Sequence, residues 1–329
     1  MFKKLLVSLL LVLPLAGAAQ GYEETDRKVL AYPDFASLKE VGIRIQNDFT
    51  DEAARVRAAF VWVSGNITYT LNEDEDGPET HRISYASEAQ RKEAIDDVVW
   101  KKINKSFARR KGVCIDYSLM LNALIEQFGL PSKIITGIVK TEVKEIKEAP
   151  YYRNHSWNAV QLNGEWKLMD ATWAAGYVDP KKKRFVKNFQ DHYFFTDPYD
   201  FARHHLPANV EWQLLDTPID ALTFFSSPVL LPDFCEKGIA LSKRTSGILT
   251  LSRNKVNVIY FDALPPRHLL TYSVDGSGEF RRLGLRRDEQ NNYYSKIRLR
   301  KRFNRKYEYL TLYMNEEPIL NFKIEEEVN

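Results

Sequence analysis

The chain has 329 residues, which suggests about two domains. With 44% hydrophobic and 12% aromatic residues it can build real cores, which excludes a disordered chain. Its formal net charge of +3 is too small to imply a polyanion partner by itself.

Residues 1–19 read as a secretory signal peptide. Lys3 and Lys4 give the charged start, Leu5 to Leu15 the apolar run, and Ala16-Gly17-Ala18-Ala19 the cleavage zone. The run is short for a membrane span. The expectation is export to the periplasm or beyond, with no transmembrane span in the mature chain. Residues 35–48 carry Leu38, Val41 and Ile45 at helical spacing. Thr50 is a good N-cap for a second helix, which presents Val56, Ala59, Phe60 and Val63 and stops near Ser64 and Gly65. Residues 72–79 form an acidic loop without the ligand spacing of a calcium loop. A helix over 88–104 follows, and a basic stretch from Lys101 to Lys111 leads to Gly112-Val113-Cys114. Ile115, Leu119, Ala123, Leu124 and Phe128 then mark a helix that ends at Gly129. Ile134 to Val139 reads as a buried strand, and residues 140–153 as a charged loop.

Two strands, 155–162 and 165–172, are joined by Asn163-Gly164, the strongest short hairpin signal. If these are the turn residues, Leu162 faces Glu165, Trp157 faces Asp170 and His155 faces Thr172. His155, Trp157 and Asp170 then share one face, with His155 and Asp170 as diagonal neighbours about 7–8 Å apart. A cysteine at a helix start, with a histidine already held by an aspartate, is the arrangement of a nucleophilic thiol enzyme. Gly112 is expected to let the backbone turn sharply into the helix. The competing reading of Cys114 is a disulfide with Cys235, the second cysteine, which itself reads as a small buried residue near a domain junction.

After residue 232 short alternating runs recur, at 248–251, 256–260, 269–274, 297–299, 309–313 and 319–324. They predict a C-terminal β-sandwich over 233–329, after a first domain over 20–232. Residues 281–306 hold eleven Lys and Arg. Lys296, Arg298 and Arg300 line one strand face. This reads as a solvated face, or as a contact surface for anionic envelope polymer. No nucleic-acid module, phosphate loop or dinucleotide fingerprint is present. The histidines lack metal spacing, and adjacent His204 and His205 should diverge in a regular strand, so neither a metal site nor a cofactor is expected.

The Gly112–Ser118, His155–Asn158 and Asp170–Trp173 segments, with Phe60–Tyr69 upstream and Tyr193–Pro198, Leu206-Pro207 and Trp212–Leu215 downstream, resemble the transglutaminase-like, papain-like cysteine enzymes. The likeness is closest to the branch of kyphoscoliosis peptidase and hillarin. It covers roughly residues 35–216. It implies an α+β core with a nucleophile helix on an antiparallel sheet, and a triad of Cys114, His155 and Asp170. It also implies an upstream side-chain oxyanion donor, for which Tyr69 is the candidate. The expected activity is on amide bonds of a protein or peptide substrate through a thioester, by hydrolysis. Cross-linking to an amine and a non-catalytic envelope-binding module are the alternatives.

Overall fold

The computed structural model describes residues 21–71, 85–149, 152–179, 182–299 and 307–327. The expected signal peptide at 1–19, the expected acidic loop at 72–79, His81 and Arg300 lie outside them.

Helix α1 (Glu23–Leu30) was not anticipated. Helix α2 (Leu38–Asp48) starts three residues later than expected, because the Ser37 hydroxyl caps it. Helix α3 (Glu52–Asn66) is capped by Asp51, not Thr50, through a carboxylate that accepts the Ala54 N–H at 2.8 Å. Every residue from Val56 to Ser64 is buried, so α3 is the central helix rather than an amphipathic surface one. Within it, Arg57 is matched by Asp26 and Asp191, each at 2.5 Å, which ties in α1 and a later loop. Strand β1 (Thr68–Tyr69) pairs in parallel with β2 (Lys111–Gly112), and α4 (Glu88–Arg109) lies between them in sequence. Helix α5 (Cys114–Gln127) packs on the sheet beyond.

That sheet has five strands in the order β8 (Phe194–Thr196), β5 (Glu165–Met169), β4 (His155–Leu162), β3 (Ser132–Val139) and β9 (His205–Pro207), all antiparallel. Between β5 and β8 lie a two-stranded ribbon, β6 (Gly176–Asp179) and β7 (Arg184–Lys187), and short helix α6 (Ala171–Ala175). Short helix α7 (Pro198–Ala202) leads to β9. The β4–β5 register is the expected one, with Leu162 opposite Glu165. Asn163 and Gly164 have φ of 52° and 84°, as a primed turn requires. The strand stops earlier than expected, however. Asp170 caps α6 by accepting the N–H groups of Thr172 and Trp173, so Thr172 is helical and does not pair with His155.

Helix α8 (Ala221–Ser226) leads to the second core. One sheet runs β10 (Val229–Leu230), β19 (Glu317–Glu326), β18 (Tyr309–Met314), β14 (Leu270–Val274) and β15 (Arg281–Arg282), with β12 (Ile248–Leu251) also on β19. The other runs β11 (Ala240–Leu241), β13 (Asn257–Ala263), β17 (Tyr293–Ile297) and β16 (Leu285–Arg287). Leu270, Leu310, Leu312 and Phe322 of the first share a core with Ile259, Phe261 and Ile297 of the second, which makes a β-sandwich. Its first strand, β10, begins four residues before the expected boundary at 233 because it pairs with β19. The strand expected at 297–299 is displaced to 293–297. Lys296 and Arg298 are exposed beside buried Ile297.

Gly137 sets how closely the sheet packs. It stands opposite His155 on one side and Pro207 on the other. A Cβ there would lie 2.3 Å from the Leu206 carbonyl and 2.5 Å from Trp157 Cη2. Gly137→Ala is expected to cost about 1–3 kcal/mol by overpacking, measured by urea unfolding. A cost near zero would show that β9 is free to move.

Candidate active site

Cys114 is the first residue of α5. Asp116, buried in the first turn, fixes the approach. Its carboxylate accepts the Val113 N–H at 2.8 Å, the Ser106 hydroxyl at 2.8 Å and the Lys102 ammonium at 3.2 Å. The helix start is thereby anchored to α4. Gly112 serves this anchor rather than a sharp turn. It is not in the left-handed region, but a Cβ there would lie 2.6 Å from Asp116 Cβ.

His155 opens β4, the central strand, so its ring is held by the sheet rather than by a loop. It sits between Trp157, 6.1 Å away centroid to centroid, and Trp173, at 5.8 Å. Nε2 lies 2.6 Å from Asp170 Oδ2, and Cys114 is near enough for the ring's charge to act on its thiol. Trp157 is buried, and its ring also meets Phe201 and His205, which fits the expected packing role.

Asp170 is fully buried and meets four donors. Oδ1 accepts the N–H groups of Thr172 at 2.8 Å and Trp173 at 3.1 Å. Oδ2 faces Nε2 of His155 at 2.6 Å and Nε2 of His205 at 2.9 Å. Burial alone would raise the Asp170 pKa. The His155 charge and the hydrogen bonds of both histidines outweigh it and hold the carboxyl well below the usual range. An ionised carboxylate only accepts, so both histidines carry their proton on Nε2.

Burial likewise pulls His155 down, but the Asp170 carboxylate, with a contribution from Cys114, pushes its pKa up to about 10. Burial raises the Cys114 thiol, yet the hydrogen bond and charge of His155 lower it overall. Ser156 lowers it further. The arrangement favours a thiolate–imidazolium pair. Cys114 and Cys235 are not joined, so the competing disulfide is not formed.

His205 is the residue that sequence reasoning missed. It reaches Asp170 across 35 residues of chain because β9 pairs with β3, placing His205 opposite Val139. The expected divergence of His204 and His205 also fails. His204 lies in the turn before β9, outside regular strand geometry, and its Nδ1 is 2.6 Å from His205 Nδ1. The only sequence hint was the histidine pair itself. Tyr69 pairs with Gly112, two residues before Cys114, and its half-buried ring tilts against Phe185 at 6.0 Å.

Residues 39–171 match the model of the transglutaminase-like superfamily. The chain is 24% identical over 268 residues to mouse kyphoscoliosis peptidase, covering 81% of this chain and 37% of that protein. It is 28% identical over 148 residues to Drosophila melanogaster hillarin, covering 41% and 18%. The chain therefore spans well under half the length of these relatives. A crystal structure of a TGase aligns with 56% of this chain and 40% of its own, at 15% identity and a TM-score of 0.29. Over residues 39–171 the chain has the pattern of a transglutaminase-like domain.

Proposed function

We propose that Cys114, His155 and Asp170 form a catalytic triad that cleaves amide bonds of a protein or peptide. The observation that carries this reading is the buried Asp170 carboxylate 2.6 Å from His155, whose charge in turn favours the Cys114 thiolate. The thiolate adds to the amide carbonyl carbon. The C–N bond then breaks, and the amine leaves with the proton given by His155. His155 next takes a proton from water, hydroxide adds to the thioester, and the C–S bond breaks to release a carboxylate and the free thiol. The Cys114 N–H at the helix start and the Tyr69 hydroxyl are the proposed oxyanion donors. The similarity to kyphoscoliosis peptidase favours water over an amine as acceptor. The N-terminal charge and apolar run support export, and the exposed Lys296 and Arg298 support contact with an anionic envelope polymer. Among the described residues no helix is long and apolar enough to cross a membrane.

Intact mass after incubation with an electrophilic peptide is the test. One adduct is expected on the wild type and none on Cys114→Ala. Adduct on neither, with the fold intact, would leave a binding module. Retention of an added amine on the acyl group would indicate transfer.

At pH 6.5 iodoacetamide is expected to label Cys114 about tenfold faster than a free thiol, because His155 preserves the thiolate. His155→Ala should remove that advantage; an unchanged rate would separate Cys114 from His155. Tyr69→Phe is expected to slow acylation about 100-fold with little change in melting temperature. Full activity would remove Tyr69 from the oxyanion site.

A further inference from the structure

Among the described residues, two groups of three side chains could share one metal ion. The first, His155, Asp170 and His205, is the site above. The second is His192, His204 and Cys235, in which one ligand atom from each residue lies within 4.8 Å of the others. We propose that this second group binds a zinc-class ion through two imidazoles and a thiolate.

The geometry is suited to such an ion. Cys235 Sγ lies 3.7 Å from His204 Nε2. Zinc bonds of about 2.3 Å to sulfur and about 2.0 Å to nitrogen, set at a tetrahedral angle, span about 3.5 Å between donors. His192 Nε2 is buried without a hydrogen-bond partner, an expensive state for a ring nitrogen. Three protein donors leave one tetrahedral position for water, and the half-buried Cys235 and His192 provide the way in.

The hydrogen-bond chain behind His204 prepares it as a ligand. Asp170 fixes the proton of His205 on Nε2, which leaves His205 Nδ1 as an acceptor. His204 must then donate from Nδ1 at 2.6 Å, and its Nε2 presents a lone pair toward Cys235. A ligating histidine whose second nitrogen donates to a fixed partner is the usual outer support of a metal site.

The three residues come from separate pieces of the fold. His192 follows the Arg57-bound Asp191, His204 precedes β9, and Cys235 lies in the 3-10 turn Pro232–Lys237 just after β10, the sandwich's first strand. A bound ion would clip the two cores together. Two imidazoles and one thiolate suit zinc better than calcium or magnesium.

Full-length Cys114→Ala chain keeps Cys235 as its sole thiol, so a thiolate-to-cobalt band on titration with Co²⁺ reports on this cluster and not on His155, Asp170 and His205. One equivalent is expected to bind, with a thiolate-to-cobalt charge-transfer band and visible bands of tetrahedral intensity. Zinc should displace it and raise the melting temperature. His192→Ala in the same chain should weaken cobalt binding at least about tenfold, by loss of one of three ligands. Absence of the charge-transfer band at saturating Co²⁺ would overturn the proposal and leave an S–H···N hydrogen bond between Cys235 and His204. So would a band and an affinity indifferent to His192→Ala.

Discussion

His155→Gln is expected to lower thiol-dependent turnover by about six orders of magnitude. Glutamine keeps much of the shape, and its amide can donate to Asp170 Oδ2, so the carboxylate stays satisfied. It cannot carry a proton between Cys114 and a leaving amine. No neighbour can replace it. His205 is 5.4 Å from His155 between ring centroids, but its Nε2 is committed to Asp170 and its Nδ1 to His204. The measurement is the acylation rate with an activated ester, beside the melting temperature. Retention of even a thousandth of wild-type activity in a folded variant would mean that another base serves Cys114.

Local chemistry made part of this site legible. Asn163-Gly164 set the hairpin register, and that register placed His155 and Asp170 on one face. The end of β5 was not legible in the same way. The alternation of 165–172 continues through Thr172, but Asp170 uses its carboxylate to start α6, and capping wins over strand continuation. Asp51 replaced Thr50 as cap for a similar reason, since either side chain could accept the N–H and only the chain's entry angle decides. A glycine before a helix suggests a turn, but at Gly112 the close approach of Asp116 is the cause.

His205 lay beyond local reasoning altogether. Its contact with Asp170 requires an edge strand, β9, to return to β3 after the β4–β5 hairpin, the β6–β7 ribbon, strand β8 and two short helices. Nothing in the periodicity of Leu206-Pro207 dictates that pairing. The β-sandwich was visible from its alternating runs, while β10, β11, β15 and β16 are two or three residues long and carry too little pattern.

Asp170→Asn is expected to leave the fold in place and lower turnover about 10⁴-fold. Oδ1 of asparagine can still accept the Thr172 and Trp173 N–H groups, as Oδ1 of Asp170 does. Its NH₂ then replaces Oδ2, opposite two Nε2–H donors, His155 and His205. Donor meets donor, so His155 must move its proton to Nδ1, and the lone pair that would accept the thiol proton is lost. Turning the amide over only transfers the conflict to the two backbone N–H groups. The pH dependence of stability should change as well. The lowered Asp170 pKa gives a contribution present above about pH 4 and lost as pH falls through the folded value. The raised His155 pKa gives one present below about pH 6.5 and lost as pH rises through about 10. Asparagine removes the ion pair behind both limbs, so the variant's melting temperature should vary less between pH 3 and 10. An asparagine variant with full activity and wild-type pH dependence would show that the carboxylate neither orients nor charges His155.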